Sequence, residues 1–177
     1  KLRAEVSAPS QHKLAVSALV GGRFGAPDGD LVGQLAVVWR PDRLGFAISG
    51  ELAPSADVTS SAFTGTVLDV AVAAVARLPI IVAPGVRVTP VTGFALHTLR
   101  LHGALSTDQP IRDRQFDVAW RVGGGLTYRL GRDLDVGLGV TVDLLLNRQH
   151  YEAGDVQVLI VPGVQALIGA LVTFRVL

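Results

Sequence analysis

The clearest pattern along the chain is a strict alternation of two residue classes over residues 116–147. The even positions carry large apolar residues such as Trp120, and the odd positions carry glycine, threonine and most of the charges. Because successive side chains of a strand point to opposite faces, a period of two residues predicts β-structure. Residues 131–133 interrupt the pattern with a glycine and two charges. We therefore predict two antiparallel strands, 116–130 and 134–147, joined by a three-residue turn.

A turn of this length also predicts which residues of the two strands face each other. It places Arg121 opposite Asp143 and Arg129 opposite Asp135, all on the polar face. Opposite charges directly across an antiparallel ladder stabilise each other, and an accidental register would have no reason to match both pairs. We therefore predict ion pairs at these four residues.

The same alternation recurs along the chain and predicts eight strands. They are 12–25, 31–40, 43–53, 64–78, 86–102, 116–130, 134–147 and 163–177. Two segments also have helical features, because residues 158–174 are apolar enough for a transmembrane helix and residues 67–76 are rich in alanine. Pro162 and the alternation after it favour a strand in the first segment, and Asp69 and Arg77, which share one face, favour a strand in the second.

The connections between the predicted strands differ in length. Those at 40–43, 79–85 and 131–133 are short, and so is the first one at 26–30. Three connections are longer and more polar, and they are the expected contact points for protein partners: 54–63, 104–115 and 148–159. Short turns on one side and long loops on the other are typical of an up-and-down barrel that spans a membrane.

Composition narrows the class of protein. The chain has 177 residues, of which 49% are hydrophobic, and a mean hydropathy of +0.44, which is high for a soluble domain. A net charge of +1 without a basic cluster argues against a nucleic-acid partner. The absence of cysteine excludes disulfides and thiolate metal sites. Methionine is also absent, even at position 1, which predicts a processed product or a fragment, and a removed signal peptide is one explanation.

Taken together, these patterns resemble the small eight-stranded outer-membrane β-barrels, such as the transmembrane domain of the OmpA-like proteins. The resemblance covers residues 12–177, and residues 1–11, which lack the alternation, are expected to be a periplasmic lead-in or a linker. The most specific part is the last strand, which is similar to the assembly signal of such barrels: a glycine, alternating hydrophobes and an aromatic residue, at Gly169, Val172 and Phe174.

The resemblance implies an all-β, eight-stranded antiparallel up-and-down transmembrane barrel in a bacterial outer membrane. The apolar face would contact outer-membrane lipid, and the charged face would fill the interior with paired charges. Aromatic residues are expected in two girdles at the membrane interfaces. The girdle at the short-turn end would contain Trp39, Phe46, Tyr128 and Phe174, and the girdle at the long-loop end would contain Phe24, Phe63, Phe116 and Trp120.

The function expected from this reading is that of a non-catalytic membrane anchor or a structural or interaction component, without a cofactor. A metal site is not expected, because only His150 has a nearby carboxylate, Glu152. Three alternatives remain open. In the first, the barrel is a conduit or binding site for a small apolar molecule; this alternative is favoured if interior positions Val32, Leu145, Leu167 and Leu171 line a cavity. It is a lipid-modifying barrel enzyme, with His97 as the only candidate base. Or it is a soluble lipocalin-like barrel with the two faces reversed.

Overall fold

A computed structural model describes residues 14–25, 31–59, 63–105, 110–147, 150–153, 156–160 and 162–176. These residues form eleven strands: β1 (Leu14–Phe24), β2 (Leu31–Trp39), β3 (Gly45–Thr59), β4 (Phe63–Arg77), β5 (Ile80–Ala83), β6 (Val86–Leu105), β7 (Pro110–Arg129), β8 (Leu134–Leu145), β9 (His150–Ala153), β10 (Val156–Ile160) and β11 (Val164–Arg175). Residues 1–11, the predicted lead-in or linker, lie outside the described residues.

Eight of these strands form one closed antiparallel barrel, which confirms the predicted fold class. Its order is β1-β2-β3-β4-β6-β7-β8-β11, and pairing between β11 and β1 closes it. The short β5 pairs with the start of β6, and β9 and β10 form a separate hairpin. Of the two segments with helical features, residues 67–76 lie within β4, and the first contributes strand at 158–160 and 164–174. The described residues contain no helix long and apolar enough to cross a membrane.

The predicted register between β7 and β8 is confirmed. Arg121 faces Asp143, and Arg129 faces Asp135, directly across the ladder. Gly131 in the connecting turn has a φ of 113°, a backbone conformation that residues with a Cβ atom rarely adopt. The turn therefore depends on a glycine at this position, and the parity of both strands follows from the turn.

The prediction of three long loops is wrong, because each of these segments contains β-strand. β3 continues to Thr59, and β4 begins at Phe63. Similarly, β6 continues to Leu105, and β7 begins at Pro110. In the third connection, β9 and β10 form a hairpin. The first two segments are polar and still pair as strands, because they continue the β3–β4 and β6–β7 ladders beyond the apolar part of the wall. We call this side of the barrel the extended end, and the side with the turns at 40–44, 78–85 and 130–133 the turn end.

The two faces of the barrel wall differ as expected for a membrane barrel. Large apolar side chains point outward, and Leu35 and Ile48, for example, are each 66% exposed. Charged side chains point inward, and Arg121 is only 2% exposed. A soluble barrel of the lipocalin kind requires the reverse arrangement, so the structure contradicts that alternative.

Candidate functional site

Arg121 lies at the centre of a charged layer that crosses the barrel interior. Its guanidinium group donates to Asp143 on the neighbouring strand β8, from Nε to Oδ1 at 2.6 Å and from Nη2 to Oδ2 at 2.5 Å. It also donates to Glu51 on β3, from Nη2 to Oε2 at 3.0 Å and from Nη1 to Oε1. β4 and β6 separate β3 from β7 in the wall, so the pair with Glu51 spans the lumen. The side-chain amide of Gln34 on β2 donates to Glu51 at 2.6 Å.

His97 on β6 connects Arg121's carboxylate partner to a second ion pair. Its Nε2 lies 3.0 Å from Asp143 Oδ2, and its Nδ1 lies 3.3 Å from Asp69 Oδ2 on β4. Asp69 accepts a hydrogen bond from Arg23 on β1, which also reaches Gln165 Oε1 on β11 at 3.5 Å. β1 and β4 are separated by two strands, so this pair also crosses the lumen.

The layer draws one side chain from each of the eight barrel strands. In wall order they are Arg23, Gln34, Glu51, Asp69, His97, Arg121, Asp143 and Gln165. Every member except Gln34 is less than 9% exposed. Burying an ion costs several kcal/mol (order of magnitude) unless partners of opposite charge compensate it. This cost explains why the charges of the layer are so densely paired. We call this set the central layer.

A second group of charges lies at the turn end around one carboxylate. Asp135 accepts from Arg175 Nη2 at 2.6 and 2.5 Å and from Arg87 Nη1 at 3.1 Å. Arg129, which faces Asp135 in the ladder, places its Nε 3.8 Å from Asp135 Oδ1, and its side chain is 43% exposed. Arg175 Nη1 also donates to the carbonyl of Arg132 at 2.9 Å. The structure thus brings together both predicted pairs but embeds each in a larger network.

Seven of the eight aromatic residues predicted for the two girdles point outward. Trp39 stacks on Phe46 at a centroid distance of 6.0 Å, and Trp120 Nε1 donates to Thr92 Oγ1 at 3.0 Å. Tyr128 and Phe174, like Trp39 and Trp120, are about half exposed. Phe63, which was expected in the girdle at the extended end, is 1% exposed and points inward. The prediction for Phe63 is therefore wrong, because the predicted strand began at residue 64, whereas β4 begins at Phe63, which shares the parity of inward-facing Asp69.

The four interior apolar positions pack against other side chains. Val32, Leu167 and Leu171 lie in one buried cluster with Leu19 and Ala53. Leu145 packs against a second cluster of three alanines on β4, β6 and β7. Leu171 also borders two cavities nearer the turn end.

Sequence reasoning assigned most charges of the central layer to the interior but did not predict its cross-lumen contacts. The parity of Gln34, His97 and Gln165 placed them on the polar face, and that signal was sufficient to find them. Each of these three residues has one partner on an adjacent strand. The pairs Arg121–Glu51, Arg23–Asp69 and His97–Asp143 join strands that are not adjacent, so no ladder register indicates them. In the part of the chain that the structure describes, no three histidine or acidic side chains are grouped in a way that could hold a metal ion.

Comparison with known proteins shows the same fold in small outer-membrane barrels. Neisserial surface protein A matches over 96% of this chain and 100% of its own, with a TM-score of 0.61 and 14% identity. The N-terminal β-barrel domain of Pseudomonas aeruginosa OprF matches over 96% and 100%, with a TM-score of 0.57 and 13% identity. Ail, the attachment invasion locus protein of Yersinia pestis, matches over 92% and 95%, with a TM-score of 0.57 and 8% identity.

No protein-family model and no curated protein sequence matches the chain. At identities this low, the likeness concerns the fold alone. It confirms the resemblance to small eight-stranded outer-membrane barrels that the alternation and the last strand had indicated.

Proposed function

We propose that the protein resides in a bacterial outer membrane as a non-catalytic β-barrel that acts as an anchor or as a structural and interaction component. The observation that carries this proposal is the central layer, in which each barrel strand contributes a side chain to hydrogen bonds that close the lumen. An eight-stranded barrel has an interior only wide enough to be filled by side chains. A closed lumen supports a structural role over permeation.

The outer wall supports a position in a membrane. On β6 and β7 the outward face is uncharged up to Leu96 and Phe116 and becomes basic beyond them, at Arg100 and Arg114. Such a sharp change is expected where hydrocarbon gives way to headgroups and water. β6 and β7 have 20 residues each, whereas about 9–11 tilted residues are enough to cross a bilayer.

Three features support a contact surface for protein partners at the extended end. They are the surplus length of β6 and β7, the extension of β3 and β4, and the β9–β10 hairpin. Elements that project from a rigid scaffold often carry binding functions. This proposal keeps the predicted partner segments, 54–63, 104–115 and 148–159, although much of each is strand.

The environment of His97 supports a structural role for this residue. Both ring nitrogens lie against carboxylates, those of Asp69 and Asp143, and the residue is 2% exposed. A general base for lipid hydrolysis needs a ring nitrogen within reach of a nucleophile and of the substrate. The packing of Leu167 against Leu19, Val32 and Ala53 likewise argues against a pocket for an apolar ligand within this cluster.

Conductance in planar lipid bilayers tests the closed lumen. We expect the folded protein to give no stable channel openings, and the variant Arg121→Ala to give small openings because it removes the side chain that bridges the lumen. Arg43→Ala, at an exposed arginine in a turn, is the matched control and should behave like the wild type. Steady conductance of the wild-type protein would overturn the proposal of a structural barrel.

A further inference from the structure

The turn end of the barrel interior contains a cavity with a large excess of positive charge. The cavity has a volume of about 70 Å³, and its lining includes Arg40, Arg77, Arg87 and Arg175 but only one acidic side chain, Asp135. A cavity of about 10–15 Å³ is enough for one water molecule, so the space is large enough for a small polyatomic ion.

Among the residues that line this cavity, a single carboxylate faces four arginines. Arg87 and Arg175 both pair with Asp135, and Arg87 also experiences the charges of Arg40, Arg129 and Arg175. The Nε of Arg87 is buried without a hydrogen-bond partner in the described residues. Like charges held this close repel one another in a low-dielectric interior unless a counterion lies among them.

Arg77 has no ion pair with the residues that the structure describes. It is half-buried at the end of β4. It borders the turn-end cavity and also a second one of about 70 Å³ that reaches Arg121 of the central layer. Arg77 and Leu171 line both cavities, so the two cavities are neighbours, and we call them together the vestibule.

The uncharged lining adds hydrogen-bond donors to this positive field. Thr89, Thr127 and Thr173 line the turn-end cavity; Thr89 and Thr127 are buried, and the Thr173 hydroxyl is also hydrogen-bonded to that of Ser17 at 2.8 Å. Guanidinium groups bind phosphate or carboxylate oxygens through paired, charge-assisted hydrogen bonds, and hydroxyls donate to the remaining oxygens. Such a donor set suits a tetrahedral oxyanion better than a monatomic ion.

We propose that this vestibule is a binding site for an oxyanion of the phosphate class, held by Arg40, Arg77, Arg87 and Arg175 with the threonine hydroxyls. The site faces the lumen and not the lipid-exposed wall, so the anion comes from the aqueous phase at the turn end or is the phosphate of a lipid headgroup at the mouth. The inference rests on the barrel interior and does not depend on the proposed anchor function.

The test uses the folded protein in a zwitterionic detergent and titrates it with inorganic phosphate by calorimetry at constant ionic strength. We expect saturable binding at one site. Arg77→Gln should weaken it at least about tenfold, since one charge-assisted partner is lost. The matched control is Arg43→Gln, which removes the same charge from an exposed position at the same end and should leave affinity within about twofold.

Heat-dependent gel mobility of each variant checks that the barrel is folded, so loss of the fold and loss of the site are distinguishable. Arg77 makes no ion pair with the described residues, and its replacement is therefore expected to leave the barrel intact. Folded wild-type protein without saturable binding would overturn the inference. Equal weakening by Arg77→Gln and Arg43→Gln would also overturn it, because that result indicates only a diffuse ionic atmosphere.

A second set of titrations identifies the source of the anion. The protein is placed in nanodiscs of phosphatidylcholine with or without phosphatidylglycerol, and the phosphate titration is repeated. Phosphate binding that is unchanged by phosphatidylglycerol identifies an aqueous anion. Phosphate binding that is lost in nanodiscs with phosphatidylglycerol, but retained in nanodiscs of phosphatidylcholine alone, identifies an anionic lipid headgroup. In both cases the binding site is the same, and anion binding is expected to depend on Arg77.

Discussion

Arg121 on β7 and Glu51 on β3 are joined by two hydrogen bonds across the lumen, although β4 and β6 separate their strands in the wall. Arg121 is held at the same time by Asp143 on the adjacent strand. One guanidinium group therefore connects a near strand and a distant one. The barrel is braced internally by contacts that its backbone ladder does not provide.

Arg121→Leu is expected to destabilise the barrel by about 3–5 kcal/mol, because it leaves Glu51 and Asp143 buried without their cation. Unfolding by urea in detergent micelles, followed by the loss of the heat-dependent gel shift, measures the change. The triple variant Arg121→Leu, Glu51→Gln, Asp143→Asn should recover much of the loss. If Arg121→Leu is no worse than Arg43→Leu in an exposed turn, the central layer does not stabilise the fold.

A pair of leucines on β2 tests whether the outer wall faces hydrocarbon. Leu35 lies in the middle of the strand and Leu31 at its extended end, and they are 66% and 63% exposed. In a bilayer, Leu35→Arg should cost about 2–4 kcal/mol and Leu31→Arg about 0–1 kcal/mol, because the cost of a charge falls towards the interface. Unfolding from lipid vesicles provides the comparison. Equal, small costs at both positions would place the wall in water.

Close packing of β1 against β11 makes Gly169 hard to replace. It faces Gly21 in the ladder that joins the first and last barrel strands, and a Cβ atom at Gly169 would lie 2.4 Å from the carbonyl oxygen of Val20. Gly169→Ala should therefore cost about 1–3 kcal/mol and reduce the folded fraction. Gly33→Ala is the control, because a Cβ atom there meets nothing within 4 Å. A Gly169→Ala protein that folds as well as Gly33→Ala would show that the strands can separate without penalty.

The two tryptophans are expected to report the membrane interfaces. In Trp120→Phe the remaining Trp39 lies near the turn end, and in Trp39→Phe the remaining Trp120 lies towards the extended end. Their fluorescence should be quenched most strongly by lipids brominated near the headgroup, because interfacial aromatic residues lie at that depth. Quenching that is strongest with bromine at the chain ends would contradict the placement of the girdles, and so would its absence at every depth.

The sequence alone was sufficient to predict the number of barrel strands, their antiparallel order and the register between β7 and β8. Alternation and turn length are local properties, and a strand carries its facing pattern in its own residues. The ends of β3, β6 and β7 were not predictable in this way, because their outer face is polar beyond the apolar band and composition alone does not distinguish such a strand from a loop. The interior position of Phe63 was missed for the same reason.

The central layer shows the other limit of sequence reasoning. Arg121 and Asp143 face each other in a ladder, so turn geometry predicts their pairing. Glu51 reaches Arg121 only because the sheet closes on itself, and Arg23 reaches Asp69 for the same reason. Such contacts depend on the curvature and stagger of the whole barrel, which no single pair of strands encodes.

Gel mobility of protein recovered from the floated membrane fraction, compared before and after boiling, tests the proposal of a closed membrane barrel most directly. We predict that the unboiled protein floats with lipid vesicles and migrates as a compact band, which shifts to the position of the unfolded chain on heating. Protein that stays in the soluble fraction and shows no shift would contradict both the membrane position and the outward orientation of the apolar wall.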